Sequence, residues 1–135
     1  MKGNSNTSKF TGAGFAIIDL DNVKLLALVK KNGRFDIPKG HKDKGETPFQ
    51  TACRECWEEC SLSITGKDLL TNKVYISDGL HVFAAKSSGT PKIKRNPVTN
   101  ELEHLTHIWL TPDEFSKNSP KYLSRIIYAI FNDII

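Results

Sequence analysis

The stretch GHKDKGETPFQTACRECWEECSL, from Gly40 to Leu62, constrains the fold of this chain more than any other segment. It combines five acidic residues, one arginine and three cysteines. Thr47 and Pro48 are a favourable helix start, because threonine can cap the free N–H groups and proline fits the first turn. The spacing predicts a helix that begins here and ends at about Cys60.

The acidic and cysteine side chains of this predicted helix lie on largely opposite faces. Successive residues of an α-helix turn by about 100°, which places Glu58 at about −60° and Glu59 at about +40° from Glu55. The three cysteines fall between about 100° and 160° on the same wheel, within the apolar stripe. They are Cys53, Cys56 and Cys60. One face therefore carries carboxylates, and the other is suited to a core.

Zinc binding and core packing are two alternative roles for the cysteines. CRECWEEC contains a C-x2-C step, but the chain has no matching second step. The histidines are scattered and form no paired motif; they are His41, His81, His104 and His107. Cysteine is often buried, and three cysteines on one element suit reduced thiols better than a disulfide framework. We expect the cysteines to pack in the core, with a zinc-stabilised interaction domain as an alternative.

The glutamates of the helix require a different explanation. Glu55 and Glu59 form a repulsive i,i+4 pair, and a solvated acidic face is the simplest alternative. Arg54 stands beside the cluster, where it can brace a carboxylate, and Glu46 and Gly40 precede the helix. A loop followed by a carboxylate-lined helix face suits a hard cation such as Mg²⁺ or Mn²⁺.

The remaining sequence predicts an α+β fold in one domain, residues 10–135, after a flexible N-terminus at residues 1–9. Two apolar segments, Phe15–Leu20 and Val23–Val29, predict a β-hairpin. RFDIPKGH predicts a short strand broken by Pro38-Lys39-Gly40, and NKVYIS, LHVFAAK and LTHIWL predict further strands. Helical spacing of apolar residues predicts a C-terminal helix packed on the sheet. These residues are Tyr122, Leu123, Ile126, Ile127, Ile130, Phe131 and Ile134.

Several functional classes are disfavoured. No apolar run approaches the length of a membrane span, and the N-terminus lacks the apolar centre of a signal peptide, so we expect a cytoplasmic protein. The net charge of +4 is compatible with anionic substrates. No pattern typical of specific nucleic-acid binding is present. We expect a monomer or a weak homodimer that acts on a small-molecule nucleotide.

Gly40–Leu62 resembles the Nudix box, G-x5-E-x7-R-E-U-x-E-E-x-G-U, where U is a bulky apolar residue. The first glycine and every charged position match at the right spacing. Ser61 stands where the family has glycine, and Cys56 stands where it usually has Ile, Leu or Val. Serine at a left-handed helix cap costs about 1 kcal/mol relative to glycine, or requires another cap.

The resemblance implies a Nudix-type α/β/α sandwich, in which a mixed sheet lies between the box helix and a C-terminal helix. It also implies a pyrophosphohydrolase, which hydrolyses a nucleoside diphosphate linked to another group. The implied metal ligands are Glu55, Glu58, Glu59 and the Gly40 carbonyl group. We expect Arg54 to orient the glutamates.

Two further segments resemble the diadenosine tetraphosphate hydrolase branch of the family. They are DIPKGH, before the box, and EHLTHIWL, which begins at Glu103. The resemblance makes Glu103 an alternative to Glu55 as the general base, and makes Lys39 and His41 candidates for phosphate contact.

An aromatic side chain should stack on the base of a nucleotide substrate. Phe83 is our candidate, with Tyr75 and Trp109 as alternatives. Other substrates remain open: RNA 5′ ends or caps, ADP-ribose-type diphosphates and damaged nucleoside triphosphates. A catalytically silent nucleotide-binding module is the alternative outside the enzymes.

Overall fold

A computed structural model describes residues 9–135 of the chain. The predicted flexible N-terminus lies outside the described residues, apart from Lys9. The structure contains seven strands and three α-helices in this part of the chain. They are β1 (Gly12–Asp19), β2 (Lys24–Lys30), β3 (Phe35–Asp36), β4 (Lys39–His41), α1 (Pro48–Cys60), β5 (Tyr75–Ser77), β6 (Leu80–Ala85), β7 (His104–Leu110), α2 (Pro112–Ser116) and α3 (Lys121–Ile134).

The strands form a mixed sheet around β1. The main path is β3-β2-β1-β6-β5, with β4 paired to β1 and β7 paired to β2. β1 runs antiparallel to β2 and β4 but parallel to β6, where Phe15 lies opposite Phe83. The predicted hairpin is therefore confirmed as β1–β2, and long-range pairing completes the sheet.

Both faces of the sheet are covered, as the α/β/α sandwich predicts. Along β1, Phe15 and Ile17 pack in the cluster that contains α1, whereas Ala16 and Ile18 pack in the cluster that contains α3. Period-two alternation of side chains explains this division. The fold class is confirmed, with α1 and α3 on the two sides of a mixed sheet.

The C-terminal helix is confirmed by its burial. α3 directs an apolar stripe into the core, and its fully or nearly buried apolar residues are Leu123, Ile126, Ile127, Ile130 and Phe131. Each such burial stabilises the fold by about 1.5–3 kcal/mol relative to exposure. Packing of this stripe on the sheet therefore fixes α3.

Two elements differ from the sequence-based expectation. Lys39–His41 is not a break but the strand β4, which pairs with β1. Close approach of these strands needs glycine, since a Cβ atom on Gly12 would lie 2.6 Å from the Gly40 carbonyl oxygen. The short helix α2 was also not expected. Thr111 caps it with the same threonine-proline start that begins α1.

Within residues 9–135, no helix is long and apolar enough to cross a membrane.

Candidate active site

The helix α1 begins where the sequence predicted. The Thr47 hydroxyl oxygen accepts a hydrogen bond from the Gln50 backbone N–H, and the Gln50 side chain accepts one from the Thr47 N–H. This reciprocal capping satisfies two N–H groups that the helix itself cannot bond. The cap and Pro48 together fix the start of the helix, and thereby the direction of every side chain along it.

The cysteine face of α1 lies in the core. Cys56 and Cys60 are completely buried, with their sulfur atoms 3.8 Å apart, and the Cys60 thiol donates to the Cys56 carbonyl oxygen. Cys53 is half-buried, and all three are free thiols. The packing prediction is confirmed. In the described part of the chain, no three Cys, His, Asp or Glu side chains already converge as a ligand cluster.

Arg54 is the centre of the opposite face. Its Nε donates to Glu46 at 2.7 Å, and one terminal nitrogen donates to Glu55 at 3.0 Å and to Glu58 at 3.2 Å. The other terminal nitrogen donates to the His41 carbonyl oxygen at 2.8 Å. The Arg54 Nε also lies 3.2 Å from an Asp43 carboxylate oxygen. One planar guanidinium group thus contacts four carboxylates and the end of β4, as a fork of fixed donors can.

Glu46 anchors this arrangement from outside the helix. Its pKa is lowered to about 2, chiefly because Arg54 donates hydrogen bonds to it, despite some opposing effect of burial. The Asp43 backbone N–H and the Thr51 hydroxyl also donate to Glu46. The carboxylate is therefore ionised at neutral pH, and it holds Arg54 rather than facing open solvent.

Gly40 and Glu55 are in direct contact. A Cβ atom on Gly40 would overlap the Glu55 carboxyl group, so glycine is required for this approach of β4 to α1. Burial raises the pKa of Glu55, although Arg54 acts in the opposite direction. The contact brings the backbone of Gly40 next to the carboxylate face of α1.

Glu59 is the most buried carboxylate of the face. Its Oε1 accepts a hydrogen bond from the Lys39 backbone N–H at 3.0 Å. Burial raises its pKa to about 9, and the neighbouring Glu55 charge adds to the effect. A carboxylate in such surroundings is costly to ionise without a nearby cation.

The donor chemistry of this face fits a hard divalent cation. Glu55, Glu58, Glu59 and the Gly40 carbonyl group offer oxygen ligands, which Mg²⁺ and Mn²⁺ prefer. A cation would also offset both the mutual repulsion and the burial of the carboxylates. In the described residues these carboxylates do not already converge as a ligand cluster, and Arg54 holds Glu55 and Glu58.

The carboxylate face opens into a cleft of about 890 Å³. Its other walls bring together most of the side chains that the sequence indicated, among them Lys39, His41 and Glu103. Lys94 and Tyr122 also line the cleft. Glu103 accepts a hydrogen bond from the Asn96 side-chain amide. Acidic, basic and aromatic groups thus face one space.

Phe83 does not line this cleft, contrary to our expectation. It is only 8% exposed and packs in the core against Phe15 and Phe49, with ring centroids 5.9 and 5.4 Å away. Tyr75 is also buried, and Trp109 packs against the same core cluster as Phe83. The aromatic side chain that does face the cleft is Tyr122, at the start of α3 and 42% exposed.

A buried charged group beside the cleft was not predicted from the sequence. Asp36 lies 3.3 Å from the Lys39 ammonium nitrogen and 3.3 Å from His104 Nε2. Burial tends to raise the Asp36 pKa, but His104 and Lys39 outweigh it, and the pKa is lowered. The available signal was the presence of Asp36 and His104 inside two motifs, DIPKGH and EHLTHIWL, which lie far apart in the sequence.

Comparison with known proteins agrees with the resemblance of Gly40–Leu62 to the Nudix box. The family model described as NUDIX domain matches residues 11–129. A MutT-like protein of Streptomyces ambofaciens is 29% identical over 118 residues, which cover 84% of this chain and 73% of that protein.

Solved structures of similar fold include several hydrolases. A C. elegans Ap4A hydrolase in a binary complex has a TM-score of 0.63 at 20% identity. The superposition covers 90% of this chain and 96% of that hydrolase chain. The E. coli dihydroneopterin triphosphate pyrophosphohydrolase has a TM-score of 0.68 at 16% identity, with coverages of 90% and 94%. At such identities these likenesses show the fold alone.

Proposed function

The chain belongs to the NUDIX domain family and is a pyrophosphohydrolase, and we propose that it hydrolyses a phosphoanhydride bond in a dinucleoside polyphosphate such as diadenosine tetraphosphate. The proposal requires Mg²⁺ or Mn²⁺ at the carboxylate face of α1. One observation carries it: the three glutamates of that face and Glu103 line the same cleft as Lys39 and Lys94. Carboxylates and amines are thus available to a metal polyphosphate at once.

The cation, when bound, neutralises phosphate oxygens and makes water more acidic. Glu55, Glu58, Glu59 and the Gly40 carbonyl group would hold it. Arg54 would orient Glu55 and Glu58, because its guanidinium group already donates to both. Glu46, ionised at neutral pH, would keep Arg54 in position.

The proton of the attacking water needs an acceptor within the cleft. Glu55 and Glu103 are the two candidates, and they lie near enough for the Glu103 charge to raise the Glu55 pKa. A raised pKa suits a base that must accept a proton near neutral pH. That property belongs to Glu55. We nevertheless favour Glu103, because it does not belong to the proposed metal ligands; its carboxyl group lines the cleft and accepts a hydrogen bond from the Asn96 side chain.

Substrate recognition would use the opposite walls. Lys39 offers a positive charge for a phosphate, and burial does not neutralise it, since Asp36 and other neighbours keep its pKa raised. His41 is exposed at the mouth of the cleft and offers a second contact. We infer that Tyr122, rather than Phe83, provides the stacking surface for a base.

The substrate is tested by a hydrolysis screen in Mg²⁺ with product analysis. The panel contains diadenosine tetraphosphate, ADP-ribose, nucleoside triphosphates and triphosphorylated RNA. We expect ATP and AMP from diadenosine tetraphosphate, at a rate at least about ten-fold above the others. A faster reaction of another substrate would reassign the branch, and inactivity in both Mg²⁺ and Mn²⁺ would favour a silent nucleotide-binding module. Cytoplasmic location and a monomer or weak homodimer remain predictions.

A further inference from the structure

The end of α1 departs from a favourable helix cap. Ser61 adopts the left-handed conformation, with φ 63° and ψ 22°, and its N–H donates to the Trp57 carbonyl oxygen at 3.0 Å. Glycine adopts this conformation without steric cost, whereas a residue with a Cβ atom is strained in it. The serine side chain therefore needs a compensating role, and its hydroxyl group is the only chemistry that it adds to glycine.

The Ser61 hydroxyl group bonds a segment from another part of the chain. It donates to the Lys92 carbonyl oxygen at 3.0 Å. The backbone N–H groups of Lys92 and Lys94 donate in turn to the carbonyl oxygens of Cys60, at 2.8 Å, and Glu59, at 3.3 Å. The end of a helix leaves its last carbonyl groups without partners in the helix, and this segment satisfies two of them.

The same segment continues into the cleft. We call residues 94–99 the wall segment, because five of them line the cleft, namely Lys94, Asn96, Pro97, Val98 and Thr99. The Lys94 ammonium nitrogen lies 4.1 Å from the centre of the Trp57 ring, and the Asn96 side chain donates to Glu103. A path of direct contacts thus joins the helix end to the candidate base.

We propose that Ser61 is a positioning residue, whose hydroxyl group holds the wall segment at the substrate side of the cleft. The proposal rests on the proposed function for its effect on catalysis, but not for the anchoring itself. Loss of the hydroxyl group releases one of the three hydrogen bonds by which Lys92 and Lys94, at the start of the wall segment, dock on the end of α1. The free enzyme then samples undocked arrangements, and substrate binding must select the docked one.

Two substitutions separate the backbone from the hydroxyl group. Ser61→Gly keeps the left-handed cap and removes the donor. Ser61→Asn keeps a side-chain donor, and asparagine tolerates the left-handed conformation better than most residues. If Ser61 served only to end the helix, glycine at this position would work at least as well as serine. If Ser61 is a positioning residue, glycine would not.

Steady-state kinetics with the preferred substrate of the screen measures the effect. We expect Ser61→Gly to raise KM about five-fold with kcat within about two-fold, and to keep or increase the melting temperature. Ser61→Asn should stay within about two-fold of the unchanged protein in KM. Equal KM values for the unchanged protein and Ser61→Gly would overturn the proposal.

Hydrogen exchange tests the anchoring without any substrate. We expect the amides of Lys92 and Lys94 to exchange about five-fold faster in Ser61→Gly than in the unchanged protein, with the amides of α3 unaffected as an internal control. Unchanged exchange at both lysines would refute the anchoring, whether or not the protein is active. If the hydrolysis screen fails but exchange accelerates, the proposed function fails alone.

Discussion

On one side of α1, Cys56 and Cys60 have no solvent exposure and contact the sheet and each other. On the other side, Glu55, Glu58 and Glu59 face a cleft and depend on Arg54 and on strand β4 for their positions. The first side is stabilised by burial, and the second side gathers carboxyl groups whose ionisation opposes folding. Changes on the two sides should therefore separate stability from activity.

The largest effect on activity is expected from Glu59→Gln. Glutamine keeps an oxygen that can accept the Lys39 N–H, but it cannot supply the negative charge of a metal ligand. We expect kcat in Mg²⁺ to fall at least about 100-fold, with the free energy of unfolding within about 1 kcal/mol of the original or higher. Glu101→Gln, in an exposed loop outside the cleft, is the matched control. Retained turnover in Glu59→Gln would show that the carboxylate face of α1 does not take part in catalysis as proposed.

A smaller but still large loss is expected from Gly40→Ala. The added methyl group would overlap the Glu55 carboxyl group and force it, or β4, to shift. We expect kcat to fall at least about ten-fold, because small misplacements of catalytic groups are costly. Gly66→Ala is the control, since a Cβ atom there would meet nothing within 4 Å. Equal activity of the two variants would contradict a functional role for the close contact between Gly40 and Glu55.

The pH dependence of stability distinguishes the two faces without any substrate. The folded-state pKa of Glu59 is raised to about 9 from its ordinary value of 4.5, so the folded protein binds more protons than the unfolded chain between these values. Stability from this group is present below pH 4.5 and is lost as the pH rises towards 9. Urea unfolding in EDTA at pH 6, 7.5 and 9 should show this fall, and Glu59→Gln should reduce the slope. An identical slope in the variant would be evidence against the burial of this carboxylate.

The smallest effect on activity is expected from Cys56→Ser. The hydroxyl group is more costly to bury than the thiol, so we expect a loss of about 1–3 kcal/mol in the free energy of unfolding. The value of kcat/KM should stay within about two-fold, because the side chain points away from the cleft. Cys53→Ser, at a half-buried position, should lose less stability. A large loss of turnover in folded Cys56→Ser would mean that the thiol does more than pack.

Local signals made much of the fold predictable. The threonine-proline start and the wheel positions of the glutamates and cysteines placed α1 and its two faces correctly, because they depend on residues within a few turns. The C-terminal helix was predictable in the same way, from the helical spacing of its apolar residues. The missed helix α2 has the start signal of α1, but its five residues are too few for a period to be visible.

Contacts between distant residues could not be read from the sequence. Asp36 and His104 are 68 positions apart, and Ser61 and Lys92 are 31 apart, so neither pair leaves a periodic signal. The place of Phe83 in the core, away from the cleft, was also not readable from the sequence, although it depends on a single strand. Alternation indicates that successive side chains of β6 point to opposite faces, but not which part of a buried face belongs to the cleft.

A cation site on the carboxylate face of α1 is tested by calorimetric titration of Mn²⁺ into the unchanged protein, Glu59→Gln and Cys56→Ser. We expect Mn²⁺ to bind the unchanged protein and Cys56→Ser with similar affinity. We expect at least about ten-fold weaker binding to Glu59→Gln, since even changes of residues outside the ligand set weaken metal binding about 10–100-fold. Equal affinity for Glu59→Gln and the unchanged protein, or a loss only in Cys56→Ser, would contradict a cation site on the carboxylate face of α1.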